Sequence, residues 1–312
     1  MSVREAVRPL PRQRSRMQSF LQREEVTAYL FVAPAVILIV AIAFWPIVQA
    51  VWYSLLNYLP NYPQFGSKFV GLANYAAAFQ DSTFVGSIWN TLIFFVVTVA
   101  FEFALGLLFA IVLNQKFAGR GLARAAVLVP WAFPTVISAT VWRDLFWRNN
   151  TGAIPALLHS IVPGLVPANW APLASSGSLM GAMMTIDIWK TSPYMALLIL
   201  AGLQVIPGDV YEAARVDGAG VWQRFFRITL PLLKPAILVA LLFRALDAWR
   251  VFDMFSVVAG SRLQSISFYA YNQIINNQIN YPVGQAVAVM IVIGALLISF
   301  IFIKLFGTQT VS

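Results

Sequence analysis

The sequence has no cysteine and a single histidine among its 312 residues. Without cysteine, disulfide bonds, thiolate metal sites and cysteine nucleophiles are excluded. The one histidine, His159, lies in a segment that contains proline and glycine and has no acidic neighbour. Neither a histidine-rich metal site nor a Ser-His-Asp triad can be built around it. We therefore interpret His159 as a loop side chain and predict no catalytic residue and no metal site.

Charged residues are also scarce. They make up 11% of the chain, against roughly a quarter in soluble domains, while hydrophobic residues make up 60%. A soluble core in a chain of this size does not need so many apolar side chains, so the surplus has to face lipid. The composition indicates an integral membrane protein.

The net charge of +9 is of a kind seen in nucleic-acid-binding proteins, but its distribution argues against that function. Lysine and arginine lie at the ends of apolar runs, without the interleaved aromatic residues of a nucleic-acid surface. Six arginines precede the first apolar run: Arg4, Arg8, Arg12, Arg14, Arg16 and Arg23. Such a cluster sets membrane topology and contacts anionic lipid headgroups. We predict membrane lipid as a partner and no nucleic acid.

A transmembrane helix needs about 20 mostly apolar residues, and six stretches of the chain meet that requirement. They cover about residues 28–54, 85–113, 122–145, 179–206, 235–258 and 282–305. The first is too long for the apolar core of a signal peptide, so we interpret it as a retained helix. The sequence predicts an all-α membrane protein with six transmembrane helices. We divide it into a cytoplasmic basic tail at 1–26, a transmembrane domain at 27–306 and a C-terminal tail at 307–312.

The distribution of basic residues predicts the orientation. Lysine and arginine concentrate in the N-terminal tail and in the loops on the same side of the membrane as that tail. By the positive-inside rule, both termini are cytoplasmic, in the plasma or inner membrane of a bacterium or archaeon. A long external loop at about 146–178 is expected to contain a short interfacial helix around Ile154–Ile161.

Four prolines lie inside the predicted spans: Pro46, Pro130, Pro134 and Pro193. Proline is tolerated in membrane helices where neighbouring helices satisfy the freed carbonyls, and it suggests kinks. At Pro193 we expect a local break in the fourth helix, which would expose carbonyl groups to a cavity.

The predicted cytoplasmic loop at 207–234 begins with the pattern of a short helix. Asp209 suits an N-cap, and Glu212 three residues later completes a capping-box arrangement. Asp217 and Gly218 form a turn signal that lets the chain reverse direction.

A second amphipathic helix follows this turn, and we expect it to end at Pro231 and Pro235, before the fifth span. The small side chains of Ala213 and Ala214 would allow the first helix to seat deeply in the cleft of a partner. From the residues alone, a docking element and an ordinary interfacial loop are both open.

The same loop carries a motif found in the membrane subunits of binding-protein-dependent ABC importers. Its parts are Glu212-Ala213-Ala214, Asp217-Gly218-Ala219 and Ile228-x-Leu230-Pro231. The chain resembles this family over nearly its whole length after the N-terminal tail, and is most similar to sugar permeases of the maltose and trehalose type. The resemblance implies a type I ABC importer permease fold with cytoplasmic coupling helices. It places the ATPase contact at Glu212, Ala213, Ala214, Asp217 and Gly218.

The resemblance also implies an assembly. It consists of a second homologous permease, two ATP-binding-cassette ATPase subunits and an extracellular or periplasmic sugar-binding protein. No phosphate-binding loop of the G-x-x-x-x-G-K-[ST] type occurs in the chain. We therefore expect no cofactor on this chain, with ATP and Mg²⁺ on the ATPase. The implied function is ATP-driven import of a sugar, such as trehalose, maltose or a related oligosaccharide.

Polar residues in two spans suggest where substrate binds, because ionisable groups in a membrane helix usually face a cavity or a partner. On the fourth span, one helix face carries Asp187, Lys190, Thr191 and Tyr194. On the fifth span, a polar stripe holds Arg244, Asp247, Arg250 and Asp253, with Trp249 and Phe252 alongside. Carboxylates, bases and flat aromatic rings suit the hydroxyls and C–H groups of a carbohydrate.

In the family, a Trp-x-x-x-Pro-Tyr segment and the middle of the next span supply sugar contacts. The matching residues here run from Trp189 to Tyr194 and include Trp249 and Arg250. We predict substrate contacts at Asp187, Lys190, Thr191, Tyr194, Trp249, Arg250 and Asp253. Asp187, Trp249 and Arg250 stand where the maltose system has amides, so the resemblance does not specify maltose itself.

Other interpretations of these charges remain open. Arg244–Asp247 and Arg250–Asp253 also suit structural salt bridges. Glu102 in the second span suits a hydrogen bond within the bundle, or a proton relay as in a secondary transporter.

The alternative function is a self-sufficient secondary sugar transporter or channel, which would show inverted repeats and several proton carriers. An intramembrane enzyme would show clustered carboxylates at one interface. Here, the acids are spread over two helices and interleaved with bases.

Overall fold

The computed structural model describes residues 24–146, 152–167 and 169–306. The predicted N-terminal arginine cluster and the C-terminal tail lie outside these ranges. The chain separates into two units, Met1–Trp52 and Tyr53–Ser312.

The first unit contains most of one apolar helical span. Helix α1 (Glu24–Ile39) continues through a π-helical turn (Val40–Phe44) into α2 (Trp45–Ser54). Pro46 lies two residues after the end of this wider turn and is accommodated without breaking the span. No residue in the most apolar 18-residue stretch of this span is buried. Its side chains are therefore suited to contact lipid or another protein.

The second unit is a helical bundle with one small hairpin, in which β1 (Leu56–Tyr58) pairs antiparallel with β2 (Ser67–Phe69). The helices are α3 (Ala73–Gln80), α4 (Ser82–Asn114), α5 (Arg120–Ala132), α6 (Thr135–Phe146), α7 (Ala153–Ile161), α8 (Ser176–Val205), α9 (Gly208–Val216), α10 (Val221–Arg224), α11 (Leu230–Trp249), α12 (Ile266–Tyr271) and α13 (Tyr281–Phe306). The pair α4 and α8 forms the most extensive interface, and α11 packs against α4, α8 and α13. Helix α7 confirms that the segment around Ile154–Ile161 is helical, and its position at the membrane interface stays a prediction.

Among the described residues, four helices are long and apolar enough to cross a membrane, and two bent pairs raise the number to six if each is one span. The first pair, α5 and α6, bends by 86°. Phe133 adopts an extended conformation there because Pro134 disfavours the helical one in the residue before it. The second pair, α8 and α9, bends by 68° at the entry to the predicted cytoplasmic loop. The predicted all-α membrane fold is confirmed.

Two predicted proline breaks are wrong. Helix α8 runs without interruption through Pro193, and the Ser192 hydroxyl donates to the Ile188 carbonyl at 2.6 Å. The chain is also helical from Val221 to Trp249 across Pro231 and Pro235, with a π-helical turn at 225–229 just before the first proline. Packing of neighbouring helices and local π adjustments compensate for the hydrogen bonds that proline cannot make.

The fifth span consequently begins earlier and ends earlier than predicted. It ends at Trp249 rather than near residue 258, and Arg250 is its C-cap. Asp253 therefore lies after a break in the helix, at the start of a separate helical segment that continues as a π helix (Phe255–Ala259).

The start of α9 also differs from the prediction. Its N-cap is Pro207, without a side-chain cap, so Asp209 is a first-turn residue. There its carboxylate still has a favourable interaction with the helix dipole. The predicted turn at Gly218 is confirmed, since Gly218 has φ 78° and the Ala219 amide donates to the Ala214 carbonyl at 2.9 Å. A left-handed glycine of this kind commonly ends a helix.

The N-terminal end of α4 is held by its N-cap residue, Asp81. Its carboxylate accepts hydrogen bonds from the Thr83 amide at 2.8 Å and from the Tyr269 hydroxyl at 2.7 Å, which links α4 to α12. Partial burial acts to raise the pKa of Asp81, but these hydrogen bonds outweigh it and lower the pKa below its ordinary value.

The α4–α8 interface depends on a close approach at Gly106. A Cβ atom at this position would lie 2.8 Å from Met195 Cβ and 3.1 Å from the Ala196 backbone nitrogen. Backbone cannot move aside as a side-chain end can, so the two helices would have to separate.

We predict that Gly106→Ala lowers the free energy of unfolding by about 1–3 kcal/mol, the usual cost of overpacking a core. The measurement is unfolding of the purified protein in detergent micelles. Gly86→Ala is the matched control, since Gly86 lies on the same helix with no heavy atom within 4 Å of an added Cβ. It should be neutral or slightly stabilising. Equal stability of the two variants would contradict the close approach.

Candidate functional site

A buried cluster of charges lies at the centre of the bundle. The Arg244 guanidinium, on α11, contacts Glu102 from α4, Asp187 from α8 and Asp247 from its own helix. Arg244 is 2% exposed and Glu102 is fully buried. Removing one partner from such a buried ion pair costs about 3–5 kcal/mol. The cluster therefore fixes how these three helices pack.

The geometry of the guanidinium is specific. Arg244 Nε and Nη2 both donate to the Glu102 carboxylate, the second at 3.0 Å, in a bidentate arrangement. Nη2 also donates to Asp187, and Nη1 donates to Asp247 at 2.9 Å. The predicted hydrogen bond of Glu102 within the bundle and the predicted Arg244–Asp247 pair are both confirmed. The contacts to Glu102 and Asp187 were missed by the sequence analysis.

Two adjoining polar cavities open beside this cluster, with volumes of about 270 and 240 Å³. Both are lined by Lys190, Thr191, Arg244, Asp247 and Arg250. Tyr194, Trp131 and Phe243 line only the first, and Asp187, Asp253, Thr135 and Phe252 are among the residues that line only the second. Two helices and the break after α11 thus bring six of the seven predicted substrate residues to one connected site.

Trp249 is the exception, because it lines neither cavity. Its indole N–H donates to the Ile291 carbonyl at 2.9 Å, and its ring fills the space beside Gly294 on α13. In this structure, Trp249 holds α11 against α13.

Trp131 is a site residue that the sequence analysis missed. Its ring stacks on Tyr194 with centroids 5.3 Å apart and an interplanar angle of 11°. The only signal in the sequence was an aromatic residue next to Pro130 in the third span. The stack gives the first cavity a flat aromatic surface.

The two remaining cations of the cavity wall, Arg250 and Lys190, have no ion-pair partner among the described residues. Arg250 and Asp253 do not form a salt bridge, and neither residue has an oppositely charged side-chain atom within 4.0 Å in the part of the chain that the structure describes. Lys190 also lacks such a partner among the described residues. These side chains are therefore available to hydrogen-bond a ligand that enters the cavity.

A larger cavity of about 620 Å³ lies between α4, α5 and α8 and is chemically different. Its walls are mainly aliphatic and aromatic, and Trp189 lies on this side. A polyhydroxylated ligand needs many hydrogen-bonding groups, which the two polar cavities supply and this one does not. Within the described residues, no group of three His, Cys, Asp or Glu side chains is arranged to hold a metal ion.

A second surface feature is the helical hairpin formed by α9, the Gly218 turn and α10. Ala214 is buried, while Glu212, Ala213, Asp217 and Gly218 are exposed. Large apolar side chains are exposed on the same hairpin, including Val216 at 88% and Trp222 at 74%. A patch of this kind commonly marks a protein–protein contact. The Tyr211 hydroxyl lies 3.0 Å from Thr229 Oγ1 and links α9 to the π-helical turn that follows α10.

Comparison with known proteins identifies the family. Residues 102–309 match the model for "Binding-protein-dependent transport system inner membrane component". The trehalose/maltose transport system permease protein MalF of Thermococcus litoralis is 39% identical over 289 residues, which cover 90% of this chain and 94% of the relative. The trehalose transport system permease protein SugA of Mycobacterium tuberculosis is 39% identical over 286 residues, covering 91% and 90%.

The fold agrees with this match. A chain of a bacterial ABC transporter involved in alginate import superposes with a TM-score of 0.79 at 23% identity, covering 95% of this chain and 99% of that one. The family implies ATPase and substrate-binding protein partners, a location in the inner membrane and no cofactor on the permease. Taken together, the match over residues 102–309 and the two relatives establish that the chain belongs to the inner membrane components of binding-protein-dependent transport systems, as a permease subunit of an ATP-driven importer rather than an enzyme.

Proposed function

We propose that this permease carries a sugar, a disaccharide such as trehalose or maltose or a related oligosaccharide, and forms half of the translocation pathway. The polar cavity around Arg244 is the observation that carries the proposal. It combines acceptors, cationic donors and a stacked aromatic pair, which is what binding a carbohydrate requires. The two 39% identical relatives carry trehalose or maltose in their names, which supports the same substrate class.

Within this proposal, each cavity side chain has a role. Asp187 and Asp253 accept hydrogen bonds from sugar hydroxyls, while Lys190 and Arg250 donate to them. The remaining contacts are the Thr191 hydroxyl and the Tyr194 ring, which stacks with Trp131 to offer a face to sugar C–H groups. For Trp249, we now propose a positioning role, because its indole N–H is already bonded to the Ile291 carbonyl.

The helical hairpin is proposed as the coupling element. Its exposed Glu212, Ala213, Asp217 and Gly218, together with the buried Ala214, would dock into the ATPase subunit. The exposed apolar side chains of the hairpin support this role, because they need a covering partner.

The proposed assembly contains a second homologous permease, two ATPase subunits that hold ATP and Mg²⁺, and an extracellular or periplasmic sugar-binding protein. The proposed arrangement has a tail at 1–26, the membrane domain at 27–306 and a tail at 307–312, with both termini in the cytoplasm. The basic residues on that side would contact anionic lipid.

The deciding experiment measures the ATPase rate of the reconstituted complex with its binding protein, loaded in turn with trehalose, maltose and unrelated solutes. We expect the ATPase rate to rise only when the binding protein is loaded with trehalose or maltose. Stimulation by an amino acid or ion in place of sugar would contradict the substrate class. Solute movement by the purified chain in liposomes without partners or nucleotide would instead indicate a secondary transporter or channel.

We predict that Glu212→Lys abolishes transport, because it reverses the charge at the proposed ATPase contact. Sugar binding to the external protein should be unchanged. Asp144→Lys is the matched control, an acid-to-base change at a residue with a 68% exposed side chain near the end of α6. Transport by Glu212→Lys equal to that of the control would contradict the coupling role.

We predict that Asp187→Ala weakens sugar binding to the complex by roughly 10- to 100-fold, the size expected for a charge-assisted hydrogen bond. Binding isotherms on the detergent-solubilised complex measure this. Thr185→Val serves as control, since Thr185 is on the same helix but lines the apolar cavity. Unchanged affinity and selectivity in Asp187→Ala would remove Asp187 from the sugar site.

A further inference from the structure

We propose that Glu102 is a specificity-determining residue, whose buried carboxylate makes the cavity select neutral sugars over anionic ones without touching the substrate. The inference rests on the proposed sugar-carrying function and adds to it the charge of the sugar.

The first argument is the charge of the cavity wall. The wall carries three cations, Lys190, Arg244 and Arg250, and three carboxylates, Asp187, Asp247 and Asp253. The lining is therefore neutral on balance. Glu102 does not line either polar cavity but contacts Arg244 from behind, and its carboxylate adds one negative charge to the balance. With all seven groups ionised, an anionic ligand meets a site that carries one net negative charge.

The second argument is the geometry of Arg244. An arginine in a cavity wall is the usual receptor for a carboxylate, sulfonate or phosphate, because its planar edge donates two parallel hydrogen bonds. Here, Glu102 already occupies the edge formed by Nε and Nη2. Nη1 is taken by Asp247. The anionic group of a sugar acid or sugar phosphate would therefore find no free edge on this guanidinium, and only Lys190 and Arg250 remain in the wall to receive it.

Burial makes both effects strong. Glu102 is 0% exposed and Arg244 is 2% exposed, so water and salt do not screen the charge as they would at a surface. One unit charge acting over roughly 10 Å, at an effective dielectric constant of about 20, changes the binding of a charged ligand on the order of tenfold. The binding of a neutral sugar is not changed by this electrostatic interaction.

Glu102 also has the packing role described above, so the test needs a variant that changes its charge and leaves the other partners of Arg244 in place. Arg244 is also paired with Asp187 and Asp247, so its charge would remain compensated in a Glu102→Gln variant. The glutamine keeps the size of the side chain and one acceptor oxygen. This variant is expected to fold. It removes the charge and replaces one acceptor oxygen of the bidentate pair with an amide NH2 group, so Glu102→Asp is needed to separate the charge from the hydrogen-bond geometry.

The test compares the binding of trehalose and trehalose 6-phosphate by the complete, detergent-solubilised transporter in the absence of its binding protein, which would otherwise select the sugar first. Wild type should prefer trehalose. In Glu102→Gln, the ratio of the two dissociation constants should shift toward the phosphate by about tenfold or more. Glu102→Asp, which keeps the charge, should retain the wild-type ratio even if both affinities fall.

Thr98→Val is the neutral control, because Thr98 lies on the same helix and its hydroxyl is 3.5 Å from Arg244 Nη2. It should leave the ratio unchanged. A Glu102→Gln variant that weakens both ligands equally, or a wild type that prefers the phosphate, would overturn the inference. If wild type binds neither sugar, the proposed function itself has failed, and the inference falls with it.

Discussion

The Arg244 side chain needs oppositely charged partners inside the bundle, because only 2% of the residue is exposed to solvent. Removing an ion from water costs several kcal/mol unless close partners compensate. Glu102 and Asp187 supply that compensation from two other helices. Helices α4, α8 and α11 can therefore satisfy this one side chain only in a packing arrangement that brings all three together. The polar cavities lie next to this point, so their walls are positioned by the same constraint.

The cavity is also connected to the exposed hairpin by covalent structure. The helix from Val221 to Trp249 is continuous and spans 29 residues, about 43 Å at 1.5 Å per residue. Its first turn carries exposed Trp222, and its last turns carry Arg244 and Asp247. In the proposed function, displacement of the hairpin by the ATPase would move this helix and so change the cavity wall. The π-helical turn at 225–229 is the irregular point in it.

Sequence patterns predicted the features that depend on local chemistry. The apolar runs located the spans, Gly218 located the turn, and the spacing of Asp187, Lys190, Thr191 and Tyr194 placed them on one helix face that indeed borders the cavities. The predictions failed where neighbouring helices decide the outcome. Proline breaks a helix in isolation, but the bundle keeps α8 intact through Pro193.

The sequence by itself determined the class of protein, the positions of most apolar runs and the motif of the loop at 207–234, because composition, hydropathy and short-range spacing are properties of the chain. Only the tertiary structure decided which charges meet. Glu102 and Arg244 are 142 residues apart, and Asp187 and Arg244 are 57 apart, so no helical period relates them. Packing likewise turned Trp249 toward α13 and brought Trp131 onto Tyr194. Contacts of this kind depend on how helices are arranged in three dimensions, which local periodicity does not encode.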